Sequence, residues 1–148
     1  MKLPAYIDDL DQWKKEFTFH VPINIRFSET DMFGHMNNVS PFIYFEEARI
    51  AFMNHIQLFN ELTENITEVP VVADLQCDYF KQVYFGEKLK LYVKAAHVGS
   101  SSVDIHYMAL NKSDEMVLTG RGRIVQISTE SGKSVPFNDK QLERLRND

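Results

Sequence analysis

Between Phe17 and Phe27 the odd positions are Phe17, Phe19, Val21, Ile23, Ile25 and Phe27, and the even ones are Thr18, His20, Pro22, Asn24 and Arg26. That period of two predicts a strand with one buried face. His20 falls on its exposed polar side, and Pro22, having no N–H to give a neighbour, predicts an edge position or a bulge. Past residue 38 the period changes. Pro41 fits only the first turn of a helix, so a helix starts between Asn37 and Ser40, with Asn38 or Ser40 as its cap. Phe42, Tyr44, Phe45, Ala48, Ala51, Phe52 and Ile56 then cover more than half its circumference to about Gln57. Only Glu46, Glu47, Asn54 and Gln57 remain as a narrow polar strip, which describes a helix that is wrapped rather than laid on a surface. Glu46 is spaced to pair with Arg49 at i+3.

After a polar connection (Asn60, Glu61, Thr63, Glu64, Asn65) come four further strand-like runs, at about 70–80, 87–98, 101–111 and 115–128. Leu75, Cys77 and Tyr79 alternate in the first, Leu89, Leu91, Val93 and Ala95 in the second, and Val103, Ile105, Tyr107 and Ala109 in the third. Turn residues separate them at Phe85-Gly86-Glu87, Gly99-Ser100 and Asn111 to Asp114, with Ser131-Gly132-Lys133 beyond the last, so the neighbours are expected to pair as antiparallel hairpins. Gly120 and Gly122, inside the fourth run, predict a bulge or a close approach by a partner or ligand. A short amphipathic lead-in is predicted over residues 5–15 from Tyr6, Ile7, Leu10 and Trp13. A terminal helix capped by Asn138 is predicted to turn Leu142 and Leu145 inward. The order is strand, long helix, four strands. One helix covers only one face of such a sheet; with eleven Phe and six Tyr in the chain, the other face is expected to be buried against a second copy, in a homodimer or homotetramer.

A length of 148 residues suits one domain, 1–148, able to bury roughly two thirds of its unfolded surface. Sixteen Lys and Arg against twenty-one Asp and Glu give a net charge of -5, which argues against a nucleic-acid partner. No run approaches the ~20 apolar residues of a membrane span, and acids lie within the first ten residues where a secretory leader would be apolar. With Cys77 as the one cysteine no internal disulfide forms, and a cytoplasmic location is expected. Cys77 alternates with apolar neighbours as a small buried side chain. The five His show no metal-ligand spacing among themselves or with Cys77. Neither a phosphate-cradling glycine loop nor a Gly-x-Ser-x-Gly elbow is present.

Chemistry is concentrated from Arg26 to Arg49. Asp31 shares a turn with Gly34, which is free to take a positive φ, and with His35, Asn37 and Asn38, and the turn runs directly into the long helix. A carboxylate beside the amides of a helix start supplies a base or nucleophile together with donors for a developing oxyanion, a pairing suited to an acyl carbonyl.

The element order resembles the hot-dog fold, an α+β architecture in which a five-stranded antiparallel sheet wraps one long apolar helix. The run Asp31-Met-Phe-Gly34-His35-Met-Asn37-Asn38, followed by Phe45-Glu46-Glu47-Ala48-Arg49, is similar to the 4-hydroxybenzoyl-CoA thioesterase family and related bacterial acyl-CoA thioesterases. Tyr79-Phe80-Lys81 before Phe85-Gly86-Glu87, Val98 to Ser102, Leu118-Thr119-Gly120-Arg121 and Ser131 to Pro136 extend the resemblance over nearly all of the chain from residue 20. It implies hydrolysis of an acyl-CoA, with coenzyme A as part of the substrate and no separate cofactor. Asp31 would be nucleophile or general base, and a backbone amide near Asn38 would polarise the carbonyl. His35 would hold the turn or touch substrate, and Gly34 and Asn37 would lie against it. Ser101, in the Ser100 to Ser102 turn, would line the coenzyme A channel, and Arg121, with Lys81 and Arg123, would meet its phosphates. Because related hot-dog thioesterases carry their acid on the helix, Glu46 and Glu47 are rivals to Asp31. An acyl carrier protein thioesterase, a hot-dog dehydratase built on His35, and a non-catalytic acyl-binding protein are the alternative readings of the same scaffold.

Overall fold

The computed structural model of the protein describes residues 2–59 and 66–147; of the polar connection expected over 60–69, residues 60–65 lie outside them, and 68–69 already belong to a strand. The strands are β1 (Phe19–Asn24), β2 (Glu68–Tyr79), β3 (Lys88–Val98), β4 (Ser102–Leu110) and β5 (Met116–Ser128). They form one sheet in the order β1-β3-β4-β5-β2, every neighbour antiparallel. Pro22 sits on the edge strand β1, opposite Lys90, where its missing N–H costs no second ladder bond.

The helices are α1 (Leu10–Lys15), α2 (Ser40–His55) and α3 (Asp139–Arg146). The sheet curls around α2 because its inward alternation, Leu89, Leu91 and Val93 on β3, Val103, Ile105 and Tyr107 on β4, Leu118 and Ile124 on β5, meets Phe45, Ala48 and Phe52 in one core. This is the hot-dog arrangement. α3 closes one end of it with Leu145, and Asn138 caps α3 through a reciprocal pair of bonds with Gln141. Gly120 is required by the helix: a Cβ there would lie 2.4 Å from Phe45 Cε2 and 2.9 Å from the Gln76 carbonyl. With nothing in the way, the Phe45 ring lies over β5 and stacks on Tyr107 with centroids 4.2 Å apart. The close approach expected at Gly120 and Gly122 is therefore intramolecular, by Phe45 and by Leu75.

Two expectations need correction and a third is narrowed. The second sheet face is covered in part by the chain's own N-terminal segment, where Ile7, Trp13 and Phe17 pack on Met108 and Met116. The helix α2 is not wholly wrapped, since Val39, Ile43 and Ile50, at helical spacing, are 61%, 57% and 52% exposed. Arg49 does not turn out to Glu46 but inward, where its Nη1 donates to Tyr107 Oη at 3.2 Å.

Candidate active site

The turn that carries Asp31 is built from its own backbone. Phe33 and His35 both donate their amides to Asp31 Oδ1, at 2.9 and 3.1 Å, and Asp31 N–H donates to the His35 carbonyl at 2.8 Å. Gly34 takes φ +79°, which a side chain would resist, and so lets the chain reverse there. One carboxylate oxygen is thus held, while Oδ2 has no partner among the described residues.

A buried carboxylate two residues earlier fixes this turn to the helix. Glu29, 6% exposed, accepts from Tyr44 Oη at 2.8 Å, from Arg26 Nε at 3.1 Å and from Arg26 Nη2 at 2.6 Å. Its carbonyl accepts the Asn37 amide at 2.7 Å and Ser40 Oγ at 3.3 Å. The Arg26 guanidinium bound to it holds the Glu29 carboxyl below the usual range, while burial and then Glu29 push the Tyr44 hydroxyl up.

Neither Asn38 nor Ser40 caps α2, as the composition of the helix start suggests; Val39 occupies the cap position with no side-chain bond. Asn37 does related work one residue earlier, its Oδ1 accepting the Val39 amide at 2.9 Å and its carbonyl accepting Ser40 N–H at 3.0 Å. Every peptide bond described is trans, so the Asn38 N–H points opposite to that carbonyl, away from the helix. Among the described residues nothing accepts from it. The Asn38 carbonyl, in turn, accepts from Tyr79 Oη at the end of β2.

Asp31, His35 and Asn38 line one open groove of about 430 Å³, floored by Met36 and Val83 and completed by Tyr79 and Lys81. A free carboxylate oxygen and a free helix-start amide in one cleft are what attack on an acyl carbonyl requires. Gly34 acts behind this surface through its backbone, and Asn37 through its Oδ1 and its carbonyl. The His35 ring packs edge-on to Tyr84 at 4.9 Å, and Lys81 pairs with Glu115. Phe33 is 73% exposed, whereas Tyr44 and Phe45, 4% and 0% exposed, belong to the core. Glu46 and Glu47 are exposed on α2 outside the groove.

Two residues expected at the site are elsewhere. Ser101 follows β3 at the far end of the sheet, where Ser102 pairs with Val125 and Val125 with Val71, while Asp31 lies by Tyr79 at the other end. Arg121 is engaged on the opposite sheet face, where Nε donates to Asp104 Oδ2 at 3.0 Å and Nη2 bonds Asp104 Oδ1 and Asp74. That pairing belongs to a relay docking α1: Trp13 Nε1 donates to His106 Nδ1 at 2.8 Å, and His106 Nε2 to Asp104 Oδ2 at 2.9 Å. An indole nitrogen only donates, so His106 is neutral and carries its proton on Nε2. Glu29 and Tyr79 were not singled out by residue type. The signal for Tyr79 was its place in the Tyr79-Phe80-Lys81 motif; for Glu29 it was only its distance of two from Asp31.

A sheet wrapped on a helix that is led into by a turn carrying this pair defines the hot-dog thioesterase class. A family model described as the thioesterase-like superfamily matches residues 25–145. The chain belongs to that family and is a thioester hydrolase. It is similar to the uncharacterised protein YsmA of Bacillus subtilis strain 168, 51% identical over 146 residues, which cover 98% of this chain and 97% of the relative. It resembles a thioesterase of Thermus thermophilus whose structure was solved with coenzyme A and zinc, at 28% identity and a TM-score of 0.74 over 88% of this chain and 93% of that one. The fold is shared as well with Slr0204 of Synechocystis, a 1,4-dihydroxy-2-naphthoyl-CoA thioesterase, at 14% identity and a TM-score of 0.77 over 87% and 96%. No helix among the described residues is long and apolar enough to cross a membrane.

Proposed function

We propose that the protein is an acyl-CoA thioesterase in which Asp31 attacks, or activates water against, a thioester carbonyl polarised by the Asn38 amide. The observation that carries this is the unpaired Asp31 Oδ2 and the unpaired Asn38 N–H on one groove. The carbonyl oxygen sits at Asn38 N–H and gains negative charge as the tetrahedral intermediate forms. Collapse breaks the C–S bond and releases coenzyme A, which takes a proton at sulfur, and an acid after net addition of one water. The coenzyme A held by the Thermus relative supports that carrier.

A second copy completes the groove in this reading. β2 is an open edge strand on which Val71, Val72 and Leu75 are 37%, 43% and 36% exposed, and the bare stripe of α2 adds Ile43 and Ile50. Antiparallel pairing of two such edges would set the Val71 end of one strand beside the Tyr79 end of the other. The Ser100 to Ser102 turn then reaches the Asp31 groove from across the interface, three strands or roughly 14 Å in from the joined edge. Ser101 of the partner subunit would line the coenzyme A path in such a homodimer.

The test is Asp31→Asn assayed on short-chain, long-chain and aromatic acyl-CoAs. Turnover should fall about 10²- to 10⁴-fold with thermal stability retained; a loss of less than tenfold on every substrate that the unaltered protein hydrolyses would remove Asp31 from the chemistry.

A further inference from the structure

The amide that receives the carbonyl oxygen must be aimed, and nothing on the helix itself does this completely. Two consecutive peptide units meet at Asn38. The first, Asn37 to Asn38, is anchored at its carbonyl by Ser40 N–H at 3.0 Å and presents the free Asn38 N–H. The second, Asn38 to Val39, is held at its N–H by Asn37 Oδ1 at 2.9 Å. At its carbonyl it is held by a side chain from another element, Tyr79, which sits opposite Leu118 in the sheet and reaches across 41 residues of sequence. Asn38 and Val39 are themselves exposed, with no packing to replace that bond.

We propose that Tyr79 is a positioning residue for the oxyanion amide: its hydroxyl, donating to the Asn38 carbonyl, pins Asn38 to β2 and so fixes where the Asn38 N–H, whose own peptide is oriented by Ser40, stands in the groove. This rests on reading Asn38 as the carbonyl-polarising donor. A solvated residue tied to the fold on one side only shifts at little cost, and its N–H shifts with it. Tied through Ser40 on one side and Tyr79 on the other, Asn38 has one position. A donor fixed before the substrate arrives needs no reorganisation as charge develops, which is the source of its advantage. Tyr79 also ties the oxyanion amide to β2, the open edge of the sheet, so the aim of the donor depends on the strand that a second copy would cover.

Tyr79→Phe removes the hydroxyl and keeps the ring. Because Tyr79 is 46% exposed, the variant should fold with an unchanged melting temperature. On the acyl-CoA that the unaltered enzyme hydrolyses fastest, kcat should fall about tenfold, less than the 10²–10³ for deleting a donor, with KM within about twofold. Amide exchange read by NMR should quicken about tenfold at Val39 and stay unchanged at Phe33 and His35, which Asp31 holds. Unaltered exchange at Val39, an unaltered kcat, or a loss appearing only in KM would each overturn the assignment. An unaltered enzyme inactive on every acyl-CoA would overturn the parent reading, and this one with it, whereas an active enzyme indifferent to Tyr79→Phe overturns this one alone.

Discussion

His106 makes acid stability calculable. Its ring is 1% exposed, accepts from Trp13 Nε1 and donates to Asp104. Burial is the main cause that pushes it down from 6.5 to about 4, with Lys94 and His97 adding to the effect and Asp104 opposing it. A protonated ring would have two N–H groups, and Nδ1 would face the Trp13 N–H donor to donor. The native value lies below the unfolded one, so the unfolded chain takes up the proton first. The stabilisation is complete above pH 6.5, declines as pH falls from there, and is gone at about 4. The difference amounts to about 3 kcal/mol in all, of which about 2 kcal/mol is lost between pH 7 and 5. His106→Gln supplies an acceptor for Trp13 and a donor for Asp104 without titrating. Urea unfolding across this range should give the unaltered protein a fall in stability about 2 kcal/mol steeper than the variant's. Glu29 and Asp74 are also held low by their partners and weaken the fold in acid in both proteins, and Asp104 keeps its Arg121 partner in both. Parallel curves would show that the relay does not hold His106 neutral.

Gly120→Ala should destabilise the fold by about 1–3 kcal/mol in the same assay, since the new methyl would meet the fully buried Phe45 ring at 2.4 Å and the Gln76 carbonyl at 2.9 Å; a neutral effect would mean that α2 shifts freely on the sheet. Val72→Lys places a charge on the open edge of β2, where Val72 is 43% exposed, and should give a folded monomer by sedimentation together with a raised KM. Retention of an oligomer would place the interface elsewhere.

The long helix, the five strands and their turns are legible in the chain because each is dictated by short-range spacing: a period of two, a period near 3.6, Pro41 at a helix start, glycine where φ must be positive. Asp31 was legible for the same reason, as its partners are the amides of residues 33 and 35. Local composition misled at the cap, where Asn38 and Ser40 looked suited and Asn37 bonds the Val39 amide instead. Arg121, which the resemblance would set on the substrate's phosphates, is paired with Asp104 and Asp74, partners that no local pattern announces.

Sequence alone determined the element order, the helix-facing residues and the turn that Asp31 builds, since these follow from neighbours a few residues apart. Tertiary structure decided which face each cation serves, what covers the outer side of the sheet, and that Tyr79 meets Asn38 across 41 positions. Those outcomes depend on the register between distant strands, where a one-residue slip would carry Tyr79 to the other face. They depend too on competition among partners of like chemistry, in which Arg121 has two carboxylates within reach on its own sheet face. Periodicity along the chain contains the first kind of information; only the folded arrangement contains the second.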